Sequence, residues 1–456
     1  MDKARETALK ALHEEKGAYA NVALARSLRA AKLSEVDRRF ATELVYGAAK
    51  AGGTLDWILR RYLNRPLSKI PPMVRDILRL GIYQLFFLAR VPASAACNTA
   101  VEMTKRCSHA GTVKFVNAVL RTAAREPEKA AFPMGKAHEA ENLALSLQHP
   151  EWLVRRWIEQ FGYEEARALC EFDNAQATLS LRTNTLKITR DKLLERLSQE
   201  GVEAEPSAWT PEGILCLRHG SLDALESLQQ GLFQVQDESS MLVAHVLAPE
   251  PGEFVLDVCS APGGKTTHIA ASMGDRGRIV ALDVHEHKMR RIAENCERLG
   301  IKSVETLLLD AREAGRRFPR QADRVLVDAP CSGLGVLRRK PDARWRKRPD
   351  DLAALARLQR EILSSAAEAV KSGGVLVYST CTIEREENEA VIEDFLSQHE
   401  DFILENTGDF LARHEEFSLE NAGELLPLKK RPERMLQLYP QRDGTDGFFI
   451  ARMRRR

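Results

Sequence analysis

The 456-residue chain lacks any run of eighteen apolar residues, so no membrane-spanning helix is expected, and its opening Met1-Asp2-Lys3-Ala4-Arg5-Glu6 lacks the apolar core of a secretion signal. A cytoplasmic protein with no membrane partner is expected. The eight cysteines (97, 107, 170, 216, 259, 296, 331 and 381) include no Cys-x-x-Cys pair, which argues against a zinc knuckle and, with no export signal, against disulfides. His285 and His287 stand two apart at a predicted helix start and would face different directions, as a solvated pair does, so no metal is expected. Internal repeats and low-complexity tracts are absent as well. Net charge is scarce, only +2, but unevenly placed: residues 1–130 carry 23 Lys+Arg against 12 Asp+Glu, a balance of +11, leaving −9 for the remainder. Such an excess on a small domain points to a polyanion partner.

What is present begins with length. With 44% hydrophobic and 29% charged residues, 456 residues exceed one ordinary core and form a soluble protein of several domains. Residues 1–133 show helical periods (Ala18 to Ala31, Arg38 to Lys50, Pro72 to Leu88, Val113 to Ala124) and almost no strand signal, which predicts an all-α domain. The helix-breaking stretch from Glu126-Pro127 to Gly135 reads as a linker. Residues 134–230 mix helices (Glu151 to Phe161, Arg190 to Gln199) with short strands (Thr178 to Arg182, Gly213 to Leu217), a small α+β connector. Over residues 231–456 strands and helices alternate: Phe254–Val258, Arg278–Asp283, Val304–Leu309, Arg324–Asp328 and Val375–Ser379, with helices between them. That alternation predicts a parallel α/β sheet covered on both faces. Met435–Leu438 and Phe448–Ala451 are expected to pair antiparallel at its edge.

Two thiols carry the chemistry. Cys331, in Asp328-Ala329-Pro330-Cys331-Ser332-Gly333, and Cys381, in Ser379-Thr380-Cys381-Thr382, each follow an apolar run that reads as a parallel strand. Both should therefore emerge at the same sheet edge, where α/β folds bind ligands. A lone buried cysteine is ordinarily core filler; two at strand ends among turn-forming residues suggest thiol chemistry on a bound substrate. After the first strand comes Cys259-Ser260-Ala261-Pro262-Gly263-Gly264-Lys265. Paired glycines let a backbone approach a ligand, and the following helix offers unpaired N–H groups. The P-loop pattern fails because Cys259 stands where its first glycine belongs, and Gly-x-Gly-x-x-Gly is absent. Asp283 and Asp310 end the next two strands. Singly they could be helix caps; together with the glycines they favour an adenosine-type ligand.

These motifs, with Gln236-Asp237-Glu238-Ser239-Ser240, resemble the Sun family of S-adenosylmethionine-dependent RNA cytosine-5 methyltransferases over about residues 231–456. Ser260, where alanine is commoner, is a mild departure. The helical front end resembles the NusB-type RNA-binding fold, with Phe115 to Arg121 matching its last helix. The combination is similar to the bacterial members that act on small-subunit ribosomal RNA. The resemblance implies a NusB-like all-α domain and a Rossmann-like methyltransferase domain on either side of the α+β connector, acting on 16S rRNA with cytosine 967 as the target; a monomer is expected.

Cytosine C5 is a poor nucleophile until another nucleophile adds at C6, and a thiolate adds and leaves readily. The resemblance gives that role to Cys381 and the release step, as general base, to Cys331. Asp328 would contact the cytosine N3/N4 edge, although it also reads as a strand cap, and Lys265 would reach the same pocket or face solvent. The Cys259–Lys265 loop would hold the methionine end of S-adenosylmethionine, Asp283 its ribose and Asp310 its adenine side, with Asp328 close by. Arg338, Arg339, Lys340, Arg344 and Arg346 around Trp345 read as a phosphate-tracking loop with a stacking ring, or as a solvated charged face. Asn117 and Arg121 are further implied RNA contacts. A non-catalytic RNA-binding assembly or antitermination factor is the rival from another class. A DNA cytosine methyltransferase fits less well, because that group draws its nucleophile from the Pro-Cys motif and needs no Thr-Cys-Thr partner.

Overall fold

A computed structural model describes residues 2–14, 19–413 and 434–456. The chain divides into two compact units, Met1–Gln176 with Leu337–Arg348, and Ala177–Val336 with Pro349–Arg456. The three expected domains are thus grouped differently: the helices Glu139–Ser146, Glu151–Phe161 and Tyr163–Asn174 fall in the first unit, and the connector sheet falls in the second.

The first unit is helical, as its periodicity predicts. Among the described residues seven α-helices precede residue 126: Lys3–Glu14, Ala20–Ala30, Glu35–Lys50, Gly52–Arg60, Pro72–Phe87, Ala93–Cys107 and Ala110–Arg125. The expected helix from Ala18 is seen over Ala20–Ala30, Ala18 itself lying outside the described residues. Local chemistry fixes the ends. The Ser34 hydroxyl accepts from the Asp37 amide at 3.2 Å, Glu35 and Asp37 sit in the first turn and Lys50 in the last, matching the helix dipole. Pro72 occupies the first turn of its helix, where no amide donor is needed. Leu44, Val45, Leu55, Ile58, Leu59, Ile77, Leu78 and Leu120 form the buried seam. Gly47 lets the third and fifth helices approach, since a Cβ there would lie 1.9 Å from the Tyr83 hydroxyl.

The second unit holds two sheets. The connector contributes β1 (Leu179–Thr183), β2 (Glu203–Pro206), β3 (Gly213–Arg218) and β4 (Phe233–Val235), all antiparallel, in the order β2-β3-β1-β4. β2 and β4 escape sequence reading because they are short and lack an alternating apolar pattern. The larger sheet contains β5 (Phe254–Asp257), β6 (Arg278–Asp283), β7 (Val304–Leu308), β8 (Ala322–Asp328), β9 (Val370–Thr380), β10 (Phe402–Leu404), β11 (Leu436–Leu438) and β12 (Phe448–Arg455). Its order is β10-β12-β9-β8-β5-β6-β7, with β11 on β12. β7-β6-β5-β8-β9 are parallel, whereas β12 runs antiparallel to β9 and to β11, the expected edge pair. Val255, Leu256, Val325, Leu326, Val327, Leu376 and Val377 are fully or almost fully buried, as strands covered on both faces require. The order reverses at β5, so a crevice opens at the carboxyl ends of β5 and β8.

Candidate active site

The crevice collects the residues that the motifs single out. β8 ends in Asp328 and β9 in Thr380, and pairing of Asp328 with Ser379 brings the two following loops side by side. The Cys331 and Cys381 sulfurs lie 3.4 Å apart. Buried polar side chains fix both loops. The Ser332 hydroxyl meets that of Thr382 at 2.8 Å, and the Ser332 amide donates to Glu387 Oε2 at 2.8 Å. Gln359 Nε2 donates to Glu387 Oε2 at 3.0 Å and to the Pro330 carbonyl at 2.9 Å. Asn388 donates through Nδ2 to the Thr382 carbonyl at 3.0 Å and accepts through Oδ1 from the Thr380 hydroxyl at 2.6 Å. The hydrogen bond with Cys381, then burial, holds the Cys331 thiol well above its ordinary range. Either thiol can donate to the other across this contact.

Beside the thiols, Asp328 accepts from Lys265 Nζ at 2.8 Å through one oxygen and from the Ser379 hydroxyl at 2.9 Å through the other. Lys265, 13% exposed, also lies 5.0 Å above the Phe448 ring. It faces the pocket, not solvent. Ser379 was not anticipated, although its place just before Thr380-Cys381 is the signal that finds it.

The glycine loop follows β5. Gly263 has φ +97°, and a Cβ there would lie 3.2 Å from the Ile292 backbone, so only glycine fits. Gly263 caps the helix Gly264–Ser272, and no side chain caps that end. Ser260 binds the Leu282 carbonyl twice, through its amide at 2.9 Å and its hydroxyl at 2.8 Å, so this departure from alanine fastens the loop to β6. Asp283 accepts from the His285 amide at 2.8 Å and is paired with that imidazole at 3.0 Å. Asp310 caps the turn after β7, and the Arg312 guanidinium holds its carboxyl below the usual range. Burial, followed by the fields of Asp257, Asp328, Asp283 and Asp310, pushes the Cys259 thiol well up. Asp257 is fully buried and accepts from the Thr266 hydroxyl at 2.7 Å, while its Oδ1 has no hydrogen-bond partner; burial foremost raises its pKa to about 7.

The basic segment requires a correction. Arg344, expected to contact RNA, is completely buried within the first unit. Its guanidinium donates to the Gln148 carbonyl at 3.0 Å, Asn174 Oδ1 at 2.9 Å and the Asp173 carbonyl at 3.2 Å. Trp345 is not an open stacking ring: its indole N–H donates to the Lys50 carbonyl at 2.8 Å, and its ring lies on Gly53, where a Cβ would come within 2.2 Å. Both serve packing, because the helix ends around them leave carbonyls that need donors. Lys340 is exposed, Arg338 and Arg339 are partly so, and Arg338 lies 4.5 Å over the Phe172 ring. Arg346 pairs with Asp342 at 2.9 Å. On the helix Ala110–Arg125, Arg121 is exposed and donates to Asn117 Oδ1 at 2.9 Å.

Among the described residues no helix is long and apolar enough to cross a membrane. Residues 244–454 match the family described as 16S rRNA methyltransferase RsmB/F, residues 2–125 the NusB family, and residues 149–223 an RsmF/B-like ferredoxin-like domain. The chain is 42% identical to the Bacillus subtilis (strain 168) "Probable ribosomal RNA small subunit methyltransferase B", covering 99% of this chain and 98% of that protein. It is 33% identical to ribosomal RNA small subunit methyltransferase B of Pectobacterium carotovorum subsp. carotovorum (strain PC1), over 92% and 91% of the two chains. Among solved structures, PH0851 superposes with TM-score 0.84 at 28% identity, covering 99% of this chain and 98% of that one. NSun6 from Pyrococcus horikoshii with SFG gives TM-score 0.58 at 26% identity, covering 67% of this chain and 98% of that one. The NusB-like and Rossmann-like expectations are met, and the chain belongs to the ribosomal RNA small subunit methyltransferase B family of S-adenosylmethionine-dependent rRNA methyltransferases.

Proposed function

We propose that the chain methylates C5 of a cytosine in 16S rRNA, cytosine 967 by its family relation, through a covalent adduct between Cys381 and C6. The observation that carries this reading is the pair of sulfurs 3.4 Å apart beside the Asp328–Lys265 ion pair. Cys381 adds to C6, forming a C–S bond and placing electron density on C5. Asp328 faces the N3/N4 edge, and with Lys265 it steadies the charge that develops in the ring. When bound, S-adenosylmethionine supplies the methyl group that C5 takes. Once bonded to C6, Cys381 no longer holds the Cys331 proton; Cys331 gives that proton up to solvent and, as a thiolate, takes the C5 proton, which expels Cys381, breaks the C–S bond and restores the aromatic ring. Because C6 must be reached from the base face, the target cytosine is unpaired or flipped out.

The loop suits such a cofactor. The amides at the start of the helix Gly264–Ser272 would receive a carboxylate, and Gly263 keeps the approach open. The unpartnered oxygen of Asp257 offers an acceptor, Asp283 would hold the ribose hydroxyls, and Asp310 would flank the adenine. In the first unit the exposed Arg121 and Lys340, with the partly exposed Arg338, Arg339 and Asn117, would track phosphates.

The test is Cys381→Ala and Cys331→Ala with labelled 16S rRNA on denaturing gels. Cys381→Ala is expected to abolish methyl transfer, and Cys331→Ala to accumulate a protein–RNA adduct. Normal turnover by Cys331→Ala, or an adduct that depends on Cys331, would reverse the assigned roles.

A further inference from the structure

The connector is the part of the second unit with no assigned task, yet one of its side chains reaches the cofactor loop. Arg182, on β1, is 1% exposed. It donates to the Gly264 carbonyl at 2.6 Å, to the Thr267 hydroxyl at 3.0 Å and to Gln236 Oε1. The Thr267 hydroxyl in turn binds the Gly263 carbonyl at 2.8 Å. One guanidinium thus ties together β1, the segment after β4 and the first turn of the helix that opens the glycine loop.

A cation is misplaced there on stability grounds. The N-terminal end of a helix already carries positive potential, so a guanidinium beside it opposes the helix dipole. Burial adds to that cost and lowers the Arg182 pKa to about 9, leaving it charged at neutral pH. The field of Glu212, a buried carboxylate in the connector, offsets part of that cost, while the field of Arg298 adds to it. Glu212 is in turn held by His245 Nε2 at 3.1 Å and by His268 Nε2 at 3.0 Å; burial pushes its carboxyl up, but the two imidazoles together outweigh burial and keep it well below the usual range. Glu212, His245 and His268 bring their ligand atoms within 4.8 Å of one another, as a divalent cation would require. Both Glu212 oxygens are already engaged by the two imidazoles.

We propose that Arg182 is a positioning residue for S-adenosylmethionine: it fixes the first turn of the helix Gly264–Ser272 against the connector sheet and strengthens that terminus for the cofactor's carboxylate. The connector, through Arg182 and its counter-ion Glu212, then sets cofactor affinity without touching RNA. This rests on the cofactor reading given above.

The experiment uses the full chain with Arg182→Met and the double variant Arg182→Met/Glu212→Gln. Calorimetry would follow S-adenosylmethionine binding, and amide exchange would follow residues 259–267. Arg182→Met is expected to weaken cofactor binding about tenfold or more, to speed exchange in the loop and to leave rRNA affinity unchanged. It also strands the Glu212 charge and lowers Tm. The double variant removes both charges, so Tm should recover while cofactor affinity and loop protection should not. Recovery of affinity together with Tm would make Arg182 merely structural and overturn the proposal, as would unchanged exchange or unchanged affinity in Arg182→Met. One equivalent of zinc in the isolated wild-type protein, lost in Glu212→Gln, would overturn the counter-ion assignment. If the wild-type protein binds no S-adenosylmethionine, the cofactor reading fails by itself, and loop exchange still decides whether Arg182 holds the turn.

Discussion

Two segments that nearly adjoin in the chain use polar side chains in opposite ways. Asp328–Gly333 leaves a strand end and carries a carboxylate paired with Lys265 and a thiol 3.4 Å from another thiol. Leu337–Arg348 is far more charged, yet its most buried cation, Arg344, donates to two carbonyls and an asparagine, and Trp345 is seated on a glycine. Charge density alone therefore marks neither the reactive place nor the nucleic-acid face. What separates the two is whether the fold has already found partners for the polar atoms. A group that the fold holds without exhausting is available for a ligand; a group used up by backbone carbonyls is part of the scaffold.

The comparison breaks hardest at Arg344. Arg344→Met should destabilise the first unit by about 3–5 kcal/mol, the cost of removing one partner from a buried charged network, and thermal or urea unfolding would measure it. A loss of rRNA binding at unchanged Tm would instead return Arg344 to the RNA face. On the other side, Asp328→Asn keeps the shape of the side chain but removes its charge. It should cost about 10²–10³ in kcat with Tm close to wild type, as read by methyl incorporation under saturating cofactor. A large drop in Tm with little loss of turnover would show that Asp328 belongs with the scaffold, like Arg344. Asp283→Ala is a milder version of the same contrast. Losing a charged acceptor for ribose hydroxyls should weaken S-adenosylmethionine binding by about 1–3 kcal/mol, and an unchanged dissociation constant would leave Asp283 only as a turn partner of His285.

Legibility in the sequence follows the same division. Parallel strands buried on both faces announce themselves as apolar runs, which is why β5, β6, β8 and the core of β9 are found close to their observed ends. The two cysteine motifs and the glycine loop are equally plain, because turn-forming residues at strand ends have few other uses. Arg182 and Glu212 are not legible. They lie far apart in sequence, and their meaning depends on β1 and β3 folding back toward a helix that begins at Gly264. β2 and β4 are missed because strands of three or four residues with exposed positions carry no period. Arg344 is misread because a buried arginine looks like its exposed neighbours until the carbonyls around it are in place.

The smallest expected effect concerns the neighbours of Arg344 that remain at the surface. Lys340 is exposed, and it lies 5.4 Å from the Tyr19 ring, a contact worth little at a solvated site. If Leu337–Arg348 contributes to rRNA capture at all, it does so through such side chains and not through Arg344 or Trp345. Lys340→Ala should then leave Tm and S-adenosylmethionine affinity unchanged. It should lower the slope of log affinity against log salt by about 0.7–0.9, the release of one counterion. Trp345→Phe should leave that slope untouched, because its ring and its indole N–H are already engaged with Gly53 and Lys50. Filter binding across a salt series with the wild type and both variants measures this. An unchanged slope for Lys340→Ala would remove it from the RNA face, whereas a reduced slope for Trp345→Phe would mean that the segment leaves its packed position when RNA binds.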